Sequence, residues 1–236
     1  MFMSSYQPTI SIIIPVLNEA DYIKKVLFAI SKNAGSNLIK EILVVDGGSS
    51  DETTSIARDY GAIVINSKKG RAAQMNVGAA IATGEILYFL HVDSLPPKHF
   101  DLAIFKAFEE GHEVGCFQMR FNSDSNFLKF FAWCTKINHQ ICRGGDQSLF
   151  ITNKLFHENN GFNENYIIYE DNEFIGRMYK LKPFKIIPAA VTTSARRYEE
   201  CGMWMLQWHF GMIHFKYYLG AKPQELHQYY LKHIAI

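Results

Sequence analysis

This chain lacks an excess of either charge: 24 Lys and Arg stand against 23 Asp and Glu over 236 residues, a formal net charge of +1. Without a long-range field, the protein has only local patches with which to attract an acidic membrane, and nucleic acid is not an expected partner. Cysteine is scarce too. Cys116, Cys134, Cys142 and Cys201 form no CxxC pair and no zinc-type spacing, so reduced thiols in a cytoplasmic protein are expected. The N-terminus has no basic segment followed by an apolar one, and no signal peptide is expected. No GxGxxG follows a strand, which argues against a dinucleotide oxidoreductase. The most apolar stretch, Cys201 to Leu219, is interrupted by Gln207, His209, His214 and Lys216, which argues against a membrane span.

What the chain does have is enough apolar matter, 48% of its residues, for one large core. Two strand-like runs end in aspartates, Ile42-Leu-Val-Val-Asp46-Gly-Gly-Ser-Ser-Asp51 and Ile86-Leu-Tyr-Phe-Leu-His-Val-Asp93. In an open α/β sheet ligands sit outside the carboxyl ends of the strands, so both acids would face one ligand with groups that need hydrogen bonds and a metal. Strand periodicity at 10–16, 41–45, 62–65 and 85–90 alternates with helical spacing at 20–30, from Ser49 as N-cap with Glu52 three residues on, at 70–82 and from Pro96-Pro97 to about 110. That alternation requires crossover connections and hence a mostly parallel sheet.

Beyond Gly111 the rhythm changes. The pattern predicts strands at 114–121, 147–152, 184–187 and 190–193, helices at 127–142 and 171–181, a turn at Asn160-Gly161-Phe162-Asn163, and aromatic-rich helices to the end. No repeat or flexible linker intervenes, so the second half should pack on the first. For the 201–219 stretch a core helix is expected ahead of a helix lying on a membrane or a wall for a lipid-linked acceptor.

The ordered set Ser11-Ile-Ile-Ile-Pro-Val-Leu-Asn-Glu19, Val-Val-Asp46-Gly-Gly-Ser-Ser-Asp51, His91-Val-Asp93 and Glu170-Asp171 resembles family 2 glycosyltransferases of the GT-A fold, over about the first 180 residues. Gly70-Arg71-Ala-Ala-Gln74-Met-Asn76-Val-Gly78, Gly145-Asp146-Gln147 and Thr193-Ser-Ala-Arg196-Arg197 look like a small, soluble bacterial subgroup of it. The resemblance implies a single α/β GT-A-like domain over 1–236. Residues 1–110 would bind the nucleotide sugar, 111–198 would serve acceptor and catalysis, and 199–236 would be a helical extension. It implies an inverting glycosyltransferase that takes a sugar from a nucleotide-diphosphate donor with help from Mn²⁺ or Mg²⁺. A sugar nucleotidyltransferase or an inactive nucleotide-sugar-binding protein stands as the alternative.

The resemblance also distributes roles. Asp171 would be the base that deprotonates an acceptor hydroxyl, although acids are common in the first turn of any helix. Asp46 would contact the nucleotide base and Glu19 the ribose or base region. By itself Asp46-Gly-Gly-Ser-Ser reads equally as an ordinary turn. Family members carry Asp-x-Asp where this chain has His91-Val-Asp93. Asp93 is therefore the expected metal ligand, and His91 either a second ligand or a strand-end group that binds donor or backbone. Arg71, Arg196 and Arg197 would meet diphosphate or acceptor. Pro15, Asn18, Gly47, Ser49, Asp51, Gln74, Asn76, Asp146, Gln147 and Glu170 complete the expected donor and acceptor site. For Gly144-Gly145-Asp146-Gln147 a tight turn is as good a reading. The acceptor is open, a lipid-linked one included. Peripheral contact with the inner membrane face and a homodimer are open as well.

Overall fold

The computed structural model describes residues 7–234. Residues 1–6, which carry most of the segment read for a leader, lie outside the described residues. Strand β1 (Ile10–Val16) is buried along its whole length. It leads through α1 (Ala20–Asn33) to β2 (Ile39–Asp46), through α2 (Thr53–Asp59) to β3 (Ile63–Asn66), and through α3 (Arg71–Ile81) to β4 (Ile86–Phe89). These strands lie side by side in the order β3-β2-β1-β4, all parallel.

The chain continues through β5 (Ser94–Leu95), α4 (Phe100–Glu109), β6 (Val114–Phe121), α5 (Asn126–Cys134), β7 (Leu149–Thr152), α6 (Asn153–Glu158), α7 (Glu170–Leu181) and β8 (Lys185–Thr193). Helices α8 (Arg196–Cys201), α9 (Met203–Tyr218) and α10 (Pro223–His233) close it. The full sheet runs β3-β2-β1-β4-β7-β6-β8-β5. Strand β7 is antiparallel to both β4 and β6, β6 and β8 are parallel, and β5 is antiparallel to β8.

Both faces of the sheet are covered, which is why β1 is a continuous apolar run rather than an alternating one. Ile10, Ile12 and Ile14 pack with Ile23, Leu27 and Ile30 of α1 and Ile104 of α4. On the other face Ile13, Leu43 and Val45 meet Met75 and Ala79 of α3 and Phe174 and Met178 of α7. Helix α3 lies so close that a Cβ at Gly78 would stand 2.6 Å from Ile13 Cγ2.

Four expectations are corrected. Helix α2 starts at Thr53 rather than after Ser49, because the Ser49 hydroxyl is bonded to Asp46 and to the Asn18 amide. Helix α5 ends at Cys134 instead of running to Cys142; Arg143 Nη2 takes the carbonyls of Thr135 and Ile137, so the chain turns there. The two short strands near residue 190 are one strand, β8, whose register against β6 slips between Phe117 and Gln118, opposite Pro188-Ala189. A proline has no N–H for the ladder, and a bulge accommodates it. The stretch 201–219 is not core: only Leu206 and Ile213 of α9 are buried, while Trp204 and Trp208 are 78% and 67% exposed. Among the described residues no helix is long and apolar enough to cross a membrane, and all four cysteines are free thiols.

Candidate active site

The carboxyl ends of β1, β2 and β4 open a cleft whose rim is knitted from the β1–α1 and β2–α2 loops. Asn18 takes a left-handed backbone (φ 54°), which asparagine tolerates better than most residues. Its amide donates to Ser49 Oγ at 2.8 Å, and its Oδ1 accepts from the Ser50 amide at 2.8 Å. Asp51 accepts from the amides of Ala20 (3.2 Å) and Thr53 (3.0 Å), while Thr53 Oγ1 accepts from the Glu19 amide (2.8 Å). Asp46 is buried, and its carboxylate accepts from the amides of Gly48 (3.1 Å) and Ser49 (3.0 Å) and from Ser49 Oγ (2.5 Å). Asp46, Ser49 and Asp51 therefore hold the shape of the rim. Gly47 donates to Val16 O at 2.9 Å where the two strands end.

Four of the expected ligand-binding residues have partners inside the protein. Pro15 is buried within β1, opposite Val45. Gln74 Nε2 donates at 2.8 Å to both Val16 O and Val45 O, and the side chain is buried. Asn76 bonds the amide and carbonyl of Phe162 (each 2.9 Å) and Glu164 Oε1 (3.0 Å). Gln147 accepts from Arg143 Nη1 at 2.7 Å and donates to Cys142 O at 2.7 Å. A side-chain amide read from sequence shows its polarity but not its partner, and here each of the three amides meets at least one backbone group.

The floor of the cleft comes from four separate segments. Glu170 and Asp171 begin α7, where the helix dipole favours acids. Tyr169, with a left-handed φ of 73°, turns the chain into that helix. Arg71, the first residue of α3, reaches Glu170 Oε1 at 3.3 Å and Asp171 Oδ2 at 4.0 Å. His91, just past β4, directs Nδ1 to Asp146 Oδ1 at 3.4 Å and Nε2 to Asp171 Oδ2 at 3.5 Å. A carboxylate thus faces each ring nitrogen of His91.

Burial and the Arg71 charge act to lower the His91 pKa, but the hydrogen bonds to Asp146 and Asp171 prevail and raise it to about 10. The ring is thus an imidazolium at neutral pH, gripped between two acids. Burial tends to raise the Asp146 pKa, and His91 and Arg71 more than reverse this, so it is lowered. Glu170 moves the other way: burial raises it, Arg71 opposes this, and the neighbouring Asp171 adds to the rise.

Asp93 sits half-buried at the same floor. Burial raises its pKa first, the Asp146 charge adds to that, and His91 and Arg71 pull it down. The Asp146 charge makes Asp93 costlier to ionise, and a carboxylate in that position offers the hard oxygen donors that Mg²⁺ or Mn²⁺ prefers. Among the described residues no group of three or more His, Cys, Asp or Glu gathers as a ready metal cage. On the rim, burial raises the Glu19 pKa, Arg196 and Arg71 lower it and Asp93 raises it, so these four groups share one field. Arg196 stacks over the Tyr22 ring at 4.6 Å. Arg197 is turned toward the C-terminal helices, where Nη2 donates to Tyr230 OH at 2.7 Å.

Arg143 was not singled out from the sequence, and Gly145 was read only as part of the Gly144-Gly145-Asp146-Gln147 turn. Gly145 allows the floor to close: a Cβ there would lie 2.1 Å from Asp171 Oδ2 and 2.4 Å from His91 Cε1. Arg143, 3% exposed, donates to Gln147 Oε1 and to the carbonyls of Thr135 and Ile137, and its own carbonyl accepts from Asn172 Nδ2 at 2.7 Å. A lone arginine before two glycines carries no sign of burial; the glycine pair itself was the available signal.

A sequence model of glycosyl transferase family 2 matches residues 11–180. Glycosyltransferase AglE of Haloferax volcanii is 38% identical over 101 residues, covering 40% of this chain and 33% of that protein. A PGL/p-HBAD biosynthesis glycosyltransferase of Mycobacterium tuberculosis is 35% identical over 113 residues, 45% of this chain and 43% of its own. The chain spans well under half the length of these curated relatives. Among solved structures, the mannosyltransferase PcManGT from Pyrobaculum calidifontis, in complex with GDP-Man and Mn2+, superposes with a TM-score of 0.68 at 21% identity, covering 96% of this chain and 70% of that one. The fold is the GT-A-like α/β fold that the motifs implied. Because the matched stretch supplies every floor group from Arg71 to Asp171, the chain belongs to glycosyl transferase family 2.

Proposed function

We propose that the protein is an inverting glycosyltransferase that moves a sugar from a nucleotide-diphosphate donor to an acceptor hydroxyl, with Asp171 as the base. The observation that carries this is the Asp171 carboxylate itself, with His91 Nε2 at 3.5 Å and Arg71 Nη1 at 4.0 Å from its Oδ2. Both contacts fall on Oδ2, which leaves Oδ1 to accept the proton. As the acceptor oxygen bonds to the anomeric carbon, its proton passes to Asp171 while the carbon–oxygen bond to the diphosphate breaks and that electron pair leaves with the phosphate. One displacement from the opposite face inverts the configuration.

His91 and Arg71 hold the Asp171 carboxylate in place from its Oδ2 side before the proton moves. His91 thereby has a positioning role in the place of the first acid of Asp-x-Asp. Glu19 and the rim shaped by Asn18, Asp46 and Asp51 border the nucleoside end of the donor, and Arg71 and Arg196 face its diphosphate. A Mg²⁺ or Mn²⁺ ion held by Asp93 would neutralise charge on the departing diphosphate.

The test is a panel of nucleoside diphosphates and nucleotide sugars, with and without Mn²⁺, read by thermal shift and by nucleotide release. One nucleoside diphosphate should stabilise the protein, more so with the metal. Asp171→Asn should cut transfer by a factor of about 10² or more with nucleotide binding retained. Transfer by that variant at the wild-type rate would remove Asp171 from the base role, and failure of every nucleotide to bind would overturn the donor reading.

A further inference from the structure

Helix α9 is apolar on the side it buries and equally apolar on the side it does not. Leu206 and Ile213 face inward, while Trp204, Trp208, Phe215 and Leu219, spaced along one outer stripe, are 78%, 67%, 56% and 72% exposed. A helix apolar all round belongs in a core or a membrane, and a surface helix should carry polar groups outside. Helix α5 widens the surface with exposed Phe130 and Trp133, followed by exposed Ile137 and Ile141. The two helices meet through Phe127 and Trp204, whose ring centroids are 4.3 Å apart, and enclose an open groove of about 380 Å³ lined chiefly by aromatic and methionine side chains. The chain has three tryptophans, and all three stand exposed on this face.

Neither α5 nor α9 contains an acid. From residue 125 to 145 and from 201 to 224 there is no Asp or Glu, while Lys129, Lys136, Arg143, Lys216 and Lys222 are all cationic. Arg143 is buried and Lys216 lies over the Tyr229 ring, which leaves Lys129, Lys136 and Lys222 exposed. The nearest acid on α5 is Asp124, before its start, at 3.4 Å from Lys129. The lysines thus lie within these two segments and the acids at their ends, with Glu199, Glu200 and Glu225 exposed on either side of 201–224.

We propose that the α5–α9 face docks on the headgroup–acyl boundary of a bilayer containing anionic phospholipid. Tryptophan suits that boundary because its ring is apolar and its N–H stays hydrated, and lysines at the edge meet lipid phosphate. A second copy of the chain suits the face less. A two-fold contact would set the Lys129–Lys136 edge against its own copy with no acid inside either segment to receive it. The face also borders the chemistry along the chain: residues 135–148 run from α5 to Asp146, and Gln140 Nε2 in this segment bonds Tyr218 OH of α9 at 3.2 Å. Docking would therefore set the cleft beside a membrane surface. The inference does not depend on the transferase reading, since lipid binding is measured without donor or acceptor.

Because the tryptophans all lie on the face, the unmodified protein reports on itself. Vesicles of phosphatidylcholine with about one-third phosphatidylglycerol should float the protein, shift its tryptophan emission to shorter wavelength, and quench it when the acyl chains carry bromine. Phosphatidylcholine alone should bind it at least ~10-fold more weakly, and high salt should reverse the difference. Trp204→Glu with Trp208→Glu should lower partitioning by ~10-fold or more at an unchanged unfolding midpoint. Unquenched emission with anionic vesicles at low salt would overturn the proposal. So would a concentration-dependent dimer that shields the tryptophans in solution and shows no flotation.

Discussion

A methyl group on Gly145 would have to share space with the Asp171 carboxylate, 2.1 Å from Oδ2, and with the His91 ring at 2.4 Å. Neither neighbour is a loose end: His91 is fixed by acids on both sides, and Asp171 belongs to the first turn of α7. Gly145→Ala should therefore push the base off its cations, costing about 1–3 kcal/mol of stability and most of the transfer activity. Urea unfolding and nucleotide release measure the two effects. Wild-type values for both would mean that the floor yields without consequence. The acids of this floor were legible in the sequence because each sits at a strand or helix end, where polar groups are conspicuous. The contact between them was not, since four segments far apart in the chain meet there and periodicity carries no information on such a meeting. Gln74 and Asn76 show the reverse case: polar residues in a helical stretch look available until the carbonyls of Val16, Val45 and Phe162 are seen to take them.

At the scale of elements, the segment between α5 and β7 depends on Arg143. This guanidinium is buried without a carboxylate partner and is held by two backbone carbonyls and the Gln147 amide oxygen, while its Nε has no hydrogen-bond partner. Replacing it leaves those acceptors unpaired in the interior, so Arg143→Met should destabilise the protein by about 2–4 kcal/mol. The damage should be local before it is global. Amides of residues 135–148 should lose hydrogen-exchange protection more than those of β1, and transfer should fall further than nucleotide affinity. Uniform loss across the sheet would show that Arg143 supports the fold at large and not this segment. The apolar spacing of 127–142 suggested one long helix because the periodicity persists beyond Cys134. What ends α5 is a hydrogen-bond donor from a later residue, which no local pattern contains. The merging of two expected strands into β8 has a local cause that could be read only by its location: Pro188 interrupts the sequence pattern, but a bulge carries the strand across it.

For the molecule as a whole, the parallel half-sheet was readable because each strand-to-strand step has a helix between, although β4 pairs with β1 and not with β3, its neighbour in sequence. The antiparallel insertion of β7 between β4 and β6 was not, since pairing across a long excursion depends on register and burial rather than on alternation. The C-terminal helices pose a different problem. Their cluster has four buried apolar residues, Leu206, Ile213, Leu226 and Ile234. Against the sheet faces, which are lined from β1 to β8 by buried aliphatic and aromatic residues, that is a small core. It is joined to the rest by polar and aromatic contacts such as Tyr169 OH with His214 Nδ1 at 2.6 Å and Arg197 with Tyr230. Burial lowers the His214 pKa, so the neutral ring can accept from Tyr169. Opening free energy follows the apolar area that must be exposed, so α9 and α10 should open without the sheet. In native-state hydrogen exchange their amides should respond to low denaturant at opening free energies several kcal/mol below those of β1 and β4. Exchange of α9 only through global unfolding would mean that the small cluster is coupled to the core more tightly than its contacts allow. In that case its exposed aromatic stripe would sit on a rigid platform, and not on a segment that unfolds by itself.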